Sequence, residues 1–434
     1  MFRRALVLCV GTTKDPLIKA VDEFVCEHGL VVLIYGRGFP GQEPHPFDVA
    51  AEVREYCKSR GLSVELYEVS DPEDLDEVIS CCGRVFRDLV ERFNVREVVV
   101  NYTGGTKPMA TGLVYSALTC PYNISVILEY VGGGVRDKFG RVVREAMKIS
   151  RSVKTQYSVL RDRILEYARR YAYSQALAIS EFLPESGVPG FLRKSIKALY
   201  YWDNFNYDYA RRLLDDLGGI ADVLREYSEY SGIADTVSRL KSIAPRVAYL
   251  NSELKKLNSN PRDERCLRRV TRDPDGLILL SLDVFENAYR RFVEGRYVDS
   301  VLRVYRCIES LSQSLLMLKL GIVPWKANWE VLGSDIERVK SVLCVHELPE
   351  NIGCYGGLKV LELYLGSIKT WDKILTIMQL RNYSHLEHGY IEVDREKAEN
   401  SLNIAREVIK ELTEKIGIDK QRLIELWEKL KHKL

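Results

Sequence analysis

"EVVVNYTGGTKPMATGL", residues 97–113, decides how the first part of this chain folds. A β-branched run, EVVVNYT, leads into two glycines, and Pro108 then opens an apolar pattern of helical period. Strand, glycine turn and helix in that order form the unit of a parallel α/β sheet. The same alternation extends outward. ALVLCV (5–10), VVLIYG (31–36), SVELYEV (63–69) and ISVILEYV (124–131) read as further strands. Amphipathic stretches such as DPLIKAVDEFVCEHG lie between them, with Asp15 as N-cap, Pro16 at the first helical position and Gly29 as C-cap. Near-continuous apolar strands separated by helices predict a Rossmann-like α/β domain over residues 1–150, closed by a hairpin in YVGGGVRDKFGRVVREAMKI.

Beyond residue 150 the strand signal stops. Residues 151–275 carry helical periodicity rich in Tyr and Arg, and NSNPRDERCLRRVTRDPDG (258–276) reads as a linker. Helical patterns resume in LDVFENAYRRFVEGRYVDSVLRVYRCIESL and fill 276–434, giving an all-α middle region and an all-α C-terminal domain.

Composition sets limits. The 434 residues carry a net charge of only +2, so a polyanion must be held by a local basic site. No apolar run is long enough to span a bilayer, and MFRRALVLCVGTTKD reads as a strand entering a helix, not as a signal peptide. A cytoplasmic protein without membrane association is expected. The ten cysteines include no C-x-x-C pair, so reduced thiols are expected and no metal site is assigned.

Three stretches bear on chemistry. YGRGFPG (35–41) holds G-x-G-x-x-G, but its proline and those that follow keep the chain out of a helix, so a loop is expected and a dinucleotide site rejected. In the opening stretch, Gly104 and Gly105 allow close backbone approach, the helix start attracts anions, and Thr103, Thr106 and Lys107 add hydroxyls and a charge. Gly11-Thr12-Thr13-Lys14 after the first strand repeats this vocabulary, and the two loops are expected to flank a nucleotide-like anion at the strand ends. The third is RNYSHLEHG, 381–389. On a helix it would place Arg381, Ser384, His385 and His388 on one face. Histidine moves protons near neutral pH and arginine matches phosphate oxygens, which suits metal-independent RNA cleavage. One helix cannot surround a phosphate, so a site shared across a dimer axis is expected.

Together, TGGTKPM (103–109), R-N-x-S-x3-H-G at 381–389 and the helix entry LDVFENAYRRFVEGRYVDSVLRVYRCIESL resemble the CARF–HEPN ribonucleases of type III CRISPR systems. The resemblance implies a CARF sensor domain at 1–150, a helical connecting domain at 151–275 and a HEPN domain at 276–434. It implies a homodimer that needs no cofactor. A cyclic oligoadenylate, with cyclic tetra-adenylate favoured, would bind Gly11, Thr12, Thr13, Thr103, Gly104, Gly105, Thr106, Lys107 and Met109 as allosteric activator. Arg381 and His388 would then cut single-stranded RNA, supported by Asn382 and helped by Ser384 or His385, leaving a 2′,3′-cyclic phosphate and a 5′-hydroxyl. Slow cleavage of the activator at Thr106 and Lys107 is a further implication. Stable association with the CRISPR effector is not expected. Two alternatives are a sensor joined to a metal-dependent DNA nuclease and a non-catalytic regulator. The first needs carboxylates clustered on a sheet, the second a recognition helix more basic than QLRNYSHLEHGYIE.

Overall fold

The computed structural model describes the chain apart from residues 1–3, 25–28, 40, 121, 123, 137, 139–145, 153 and 433. Cys26, Pro40 and most of the expected hairpin turn therefore lie outside the described residues. The α/β part runs β1 (Arg4–Val10), α1 (Asp15–Glu23), β2 (Leu30–Gly36), α2 (Pro46–Ser59), β3 (Ser63–Val69), α3 (Leu75–Glu91), β4 (Glu97–Asn101), α4 (Lys107–Thr119), β5 (Ser125–Gly132) and β6 (Lys148–Ser152). The sheet order is β3-β2-β1-β4-β5-β6; the first five strands are parallel and β6 returns antiparallel to β5.

Burial of both faces explains why β1 is apolar from Ala5 to Val10. Ala5, Val7 and Cys9 face one core with residues of α3 and α4, including Val78, Phe86, Met109 and Leu113. Leu6, Leu8 and Val10 face a second core with Leu17 of α1 and Val53 of α2. At the N-terminus of α1, Lys14 rather than Asp15 occupies the cap position, and Asp15 supplies the acidic first turn. Tyr35 and Gly36 end β2, and the described residues that follow, 37–39 and 41, form no helix, as expected.

The helical part comprises α5 (Lys154–Arg169), α6 (Tyr173–Ser180), α7 (Gly187–Asp203), α8 (Tyr207–Leu224), α9 (Ser231–Ser259), α10 (Glu264–Thr271), α11 (Pro274–Val293) and α12 (Tyr297–Leu320). It continues through α13 (Ile336–Leu343), α14 (Cys354–Leu365), α15 (Trp371–Asn382), α16 (Arg395–Glu414) and α17 (Lys420–Glu428). The chain divides into two compact units, Met1–Arg163 with Ile179–Pro184, and Ile164–Ala178 with Glu185–Leu434. Among the described residues no helix is long and apolar enough to cross a membrane.

The segment read as a linker holds a docked helix instead. Asp263 caps α10 through Cys266 N, while Cys266 and Val270 are buried. Arg269 and Lys256 bond the buried Glu253 of α9 and hold its carboxyl down at about 2. Pro261 precedes α10, and Pro274 is the first residue of α11, with Asp273 as cap.

A buried polar cluster ties α7 and α8 to α11. Asp203 accepts from Arg290 Nε at 2.6 Å, from Asn287 Nδ2 at 2.8 Å and from Arg291. Asp283 accepts from Trp202 Nε1 at 3.0 Å and from the Tyr207 hydroxyl at 2.7 Å. Arg290 is only 1% exposed, so its charge depends on these carboxylates. Asp203→Ala should therefore destabilise the helical unit by ~3–5 kcal/mol, because it strands a buried guanidinium. Chemical denaturation followed by circular dichroism checks this; an unchanged unfolding midpoint would contradict it.

Candidate functional site

The loops after β1 and β4 meet where the strand order reverses, backbone against backbone. A Cβ on Gly104 would lie 2.2 Å from the Cys9 carbonyl oxygen, and one on Gly11 would lie 2.9 Å from Gly105 N. Gly105 has φ +81°, a conformation that L side chains rarely adopt. Only glycine fits this crossing.

The threonines brace these loops. Thr103 Oγ1 accepts from Val131 N at 2.7 Å, and Thr106 Oγ1 caps α4 through Met109 N while donating to Pro72 O. Asn101 is fully buried; it accepts from Thr103 N at 3.1 Å and donates to Glu129 at 3.0 Å, which in turn takes Arg151 Nε at 2.9 Å. Met109 is 1% exposed and packs under Gly105. Thr12 and Lys107 are exposed and Thr13 half-buried; Lys107 opens α4, whose first turn carries no acid. The loops thus present glycine backbone, the helix start and one lysine at the strand ends, with both hydroxyls of 103–106 bonded to the protein.

In the helical unit, the stretch 381–389 departs from expectation. Helix α15 ends at Asn382, and the chain then turns, so Ser384, His385 and His388 do not continue a helical face with Arg381. The cause is local. Ser384 is buried with its hydroxyl on the Arg381 carbonyl at 2.9 Å, and His388 N reaches back to Asn382 O at 3.1 Å. A Cβ on Gly389 would stand 2.3 Å from Tyr383 O and 2.4 Å from Tyr383 Cα. The turn closes only because residue 389 has no side chain.

The turn nonetheless gathers the predicted groups around one carboxylate. Arg381 Nη2 lies 3.0 Å from Glu387 Oε1, and His388 Nε2 lies 4.0 Å from Glu387 Oε2. Arg381 also donates to Asn382 Oδ1 at 2.9 Å and sits 4.9 Å over the Tyr305 ring of α12. His388 is 81% exposed, while His385 is turned aside, edge-on to Tyr390 at 5.9 Å. Burial pushes the Tyr305 phenol up, so it stays protonated beneath the guanidinium. Glu387 and Tyr305 were missed as site residues. Glu387 carried a signal, an acid beside His388 within the quoted stretch; Tyr305, distant in sequence, carried none. A fixed cation and an open imidazole on one short turn can bind a phosphate and move a proton beside it.

Residues 269–416 match the family model of the Csm6 HEPN domain. The chain shares its fold with Enterococcus italicus Csm6 bound to cyclic hexa-2′-fluoro-hexa-dAMP, with a TM-score of 0.55, 13% identity, and coverage of 99% of this chain and 98% of that one. Can2 from Sulfobacillus thermosulfidooxidans in complex with cyclic tetra-adenylate aligns over 59% of this chain and 69% of that one, at 14% identity and a TM-score of 0.23, too low to bear on the fold. No curated protein matches the sequence.

Gly389→Ala should open the 383–391 turn and leave the rest of the fold intact. Amide hydrogen exchange should show lost protection at His388 and Ile391 with α11 and α12 unchanged; unaltered protection in the turn would contradict this geometry. Residues 269–416 thus match a Csm6 HEPN domain, and the fold of the chain is similar to that of a Csm6.

Proposed function

We propose that this protein is a cyclic-oligoadenylate-activated endoribonuclease that cuts single-stranded RNA in type III CRISPR antiviral defence. The observation that carries the reading is the convergence of Arg381 and His388 on Glu387, at an exposed turn within the matched HEPN domain. RNA cleavage of this kind needs no metal. An imidazole takes or returns the proton at the 2′-OH or the leaving 5′-oxygen, and a guanidinium stabilises the phosphorane, leaving a 2′,3′-cyclic phosphate and a 5′-hydroxyl. Asn382 holds Arg381 in place, and Ser384 shapes the turn.

One turn offers one cation and one well-exposed imidazole beside it, so the working site is composed from two copies of the chain. Exposed Tyr383, Leu386 and Tyr390 surround the charged groups and supply apolar surface for a second copy to cover. In the proposed homodimer, 1–150 is the sensor domain, 151–275 connects and 276–434 is the nuclease. The ring's phosphates would meet the glycine crossing, the start of α4, Lys107 and Thr12–Thr13, with a four-adenylate ring favoured. Thr106 and Lys107 stand where slow cleavage of the activator would occur. We place the protein in the cytoplasm, without stable attachment to the CRISPR effector.

His388→Ala should lower RNA cleavage ~10²–10⁴-fold, the usual contribution of general acid–base catalysis, and Arg381→Ala should do likewise. His385→Ala should retain most activity, because that ring is turned toward Tyr390. Rates on a labelled single-stranded RNA check this. Full activity in His388→Ala and Arg381→Ala would remove the HEPN reading, and loss confined to His385→Ala would move the proton transfer to that residue.

A further inference from the structure

A cavity of about 580 Å³ lies in the helical unit, lined from α11, α16 and α17 together with Tyr171 and the C-terminal His432. Its volume is that of a small-molecule site. Aromatic rings form much of its wall: Tyr289, Phe285 and Trp427, the last two edge-to-face at 5.0 Å. Glu286 sits among them, largely buried, and accepts from Trp427 Nε1. Burial pushes the Glu286 carboxyl up, so it can serve as a hydrogen-bonding group for a polar ring edge.

The charge around this cavity is unbalanced. Of its four cations, Lys431 is paired with Glu428. Among the described residues Arg406 bonds Asn403 Oδ1, at 2.7 Å, has no carboxylate partner, and stands 5.5 Å over the Phe285 ring. Among the described residues Lys410 has only Glu414, at the outer limit of 4.0 Å, and Lys420 has no carboxylate partner. His432 lines the same cavity and is 5% exposed; its Nδ1 meets the Tyr173 hydroxyl at 2.6 Å, and among the described residues its buried Nε2 has no hydrogen-bond partner. An apolar ligand would leave the three cations unused, and a peptide carboxylate would not use the aromatic wall.

We propose that this cavity is a nucleotide site, which stacks a base against Tyr289 and Trp427 and takes the attached phosphate on Arg406, Lys410 and Lys420. Stacking is sequence-tolerant and paired guanidinium donors suit phosphate, so the chemistry is that of a nucleoside phosphate. Its source is either a free mononucleotide or one residue of a longer RNA chain. The inference does not rest on the nuclease reading.

Two probes separate the sources: adenosine monophosphate, and a 2′-O-methylated hexa-adenylate that lacks the hydroxyl needed for cleavage. Binding to the full-length protein is measured by titration calorimetry. The charge-reversal pair Arg406→Glu/Lys410→Glu should weaken binding roughly tenfold or more, because each lost charge-assisted contact is worth about a tenfold change or better. Lys107→Glu, at the proposed sensor site, should leave that binding event in place. Arg406→Gln/Lys410→Gln serves if the charge reversal does not fold and should show the same loss. Binding of the monophosphate identifies a free nucleotide; binding of the hexa-adenylate alone identifies an RNA chain. No saturable binding of either probe, or binding unchanged in both substituted pairs, would overturn the proposal.

Discussion

Backbone packs against backbone at Gly389, and the geometry of the charged turn depends on that contact. A Cβ there would stand within 2.5 Å of three Tyr383 backbone atoms, so any other residue forces the turn open. With the turn closed, Ser384 is buried, His388 is carried outward, and Glu387 comes back to Arg381. The guanidinium is then held by Glu387, Asn382 and the Tyr305 ring. These contacts fix where the cation points without covering the imidazole, which is 81% exposed. A phosphate arriving at this turn must compete with Glu387 for Arg381, a competition that favours a more strongly charged or better-placed anion.

The sheet uses the same device for a different end. Gly11, Gly104 and Gly105 let two loops cross within van der Waals limits at the ends of β1 and β4. The hydroxyls of Thr103 and Thr106 are bonded internally, which stiffens the loops. In both units glycine is required by close approach, and the charged or polar groups beside it inherit a defined position.

The sheet was readily legible. Each parallel strand was bounded to within two residues; in β1, β2 and β4 the reason is an apolar run packed into both cores. The one overlong strand, read to Thr103, ends at Asn101 because that side chain folds onto Thr103 N. The contact between the two glycine loops was legible too, since it follows from strand order. The turn at 381–389 was not. Polar residues at i, i+3, i+4 and i+7 mimic a helix face, and the information against a helix lay in the contact of Gly389 with Tyr383, which periodicity does not express. The 258–276 stretch misled similarly: its prolines lie just before α10 and at the first position of α11, and α10 is held by Glu253, outside the local window. The buried Asp203 and Asp283 clusters join helices far apart in sequence and left no local signature.

The proposed nuclease site is shared, metal-independent and set in rate by a bound ring. It is tested most directly by single-stranded RNA cleavage in EDTA, with a panel of cyclic oligoadenylates of different size, over protein concentrations spanning the dimer dissociation constant. Cleavage should survive EDTA, rise with one ring size above the others, and fall steeply on dilution as dimers separate. Cleavage abolished by EDTA, indifferent to every ring, or constant per chain down to fully monomeric protein would contradict it.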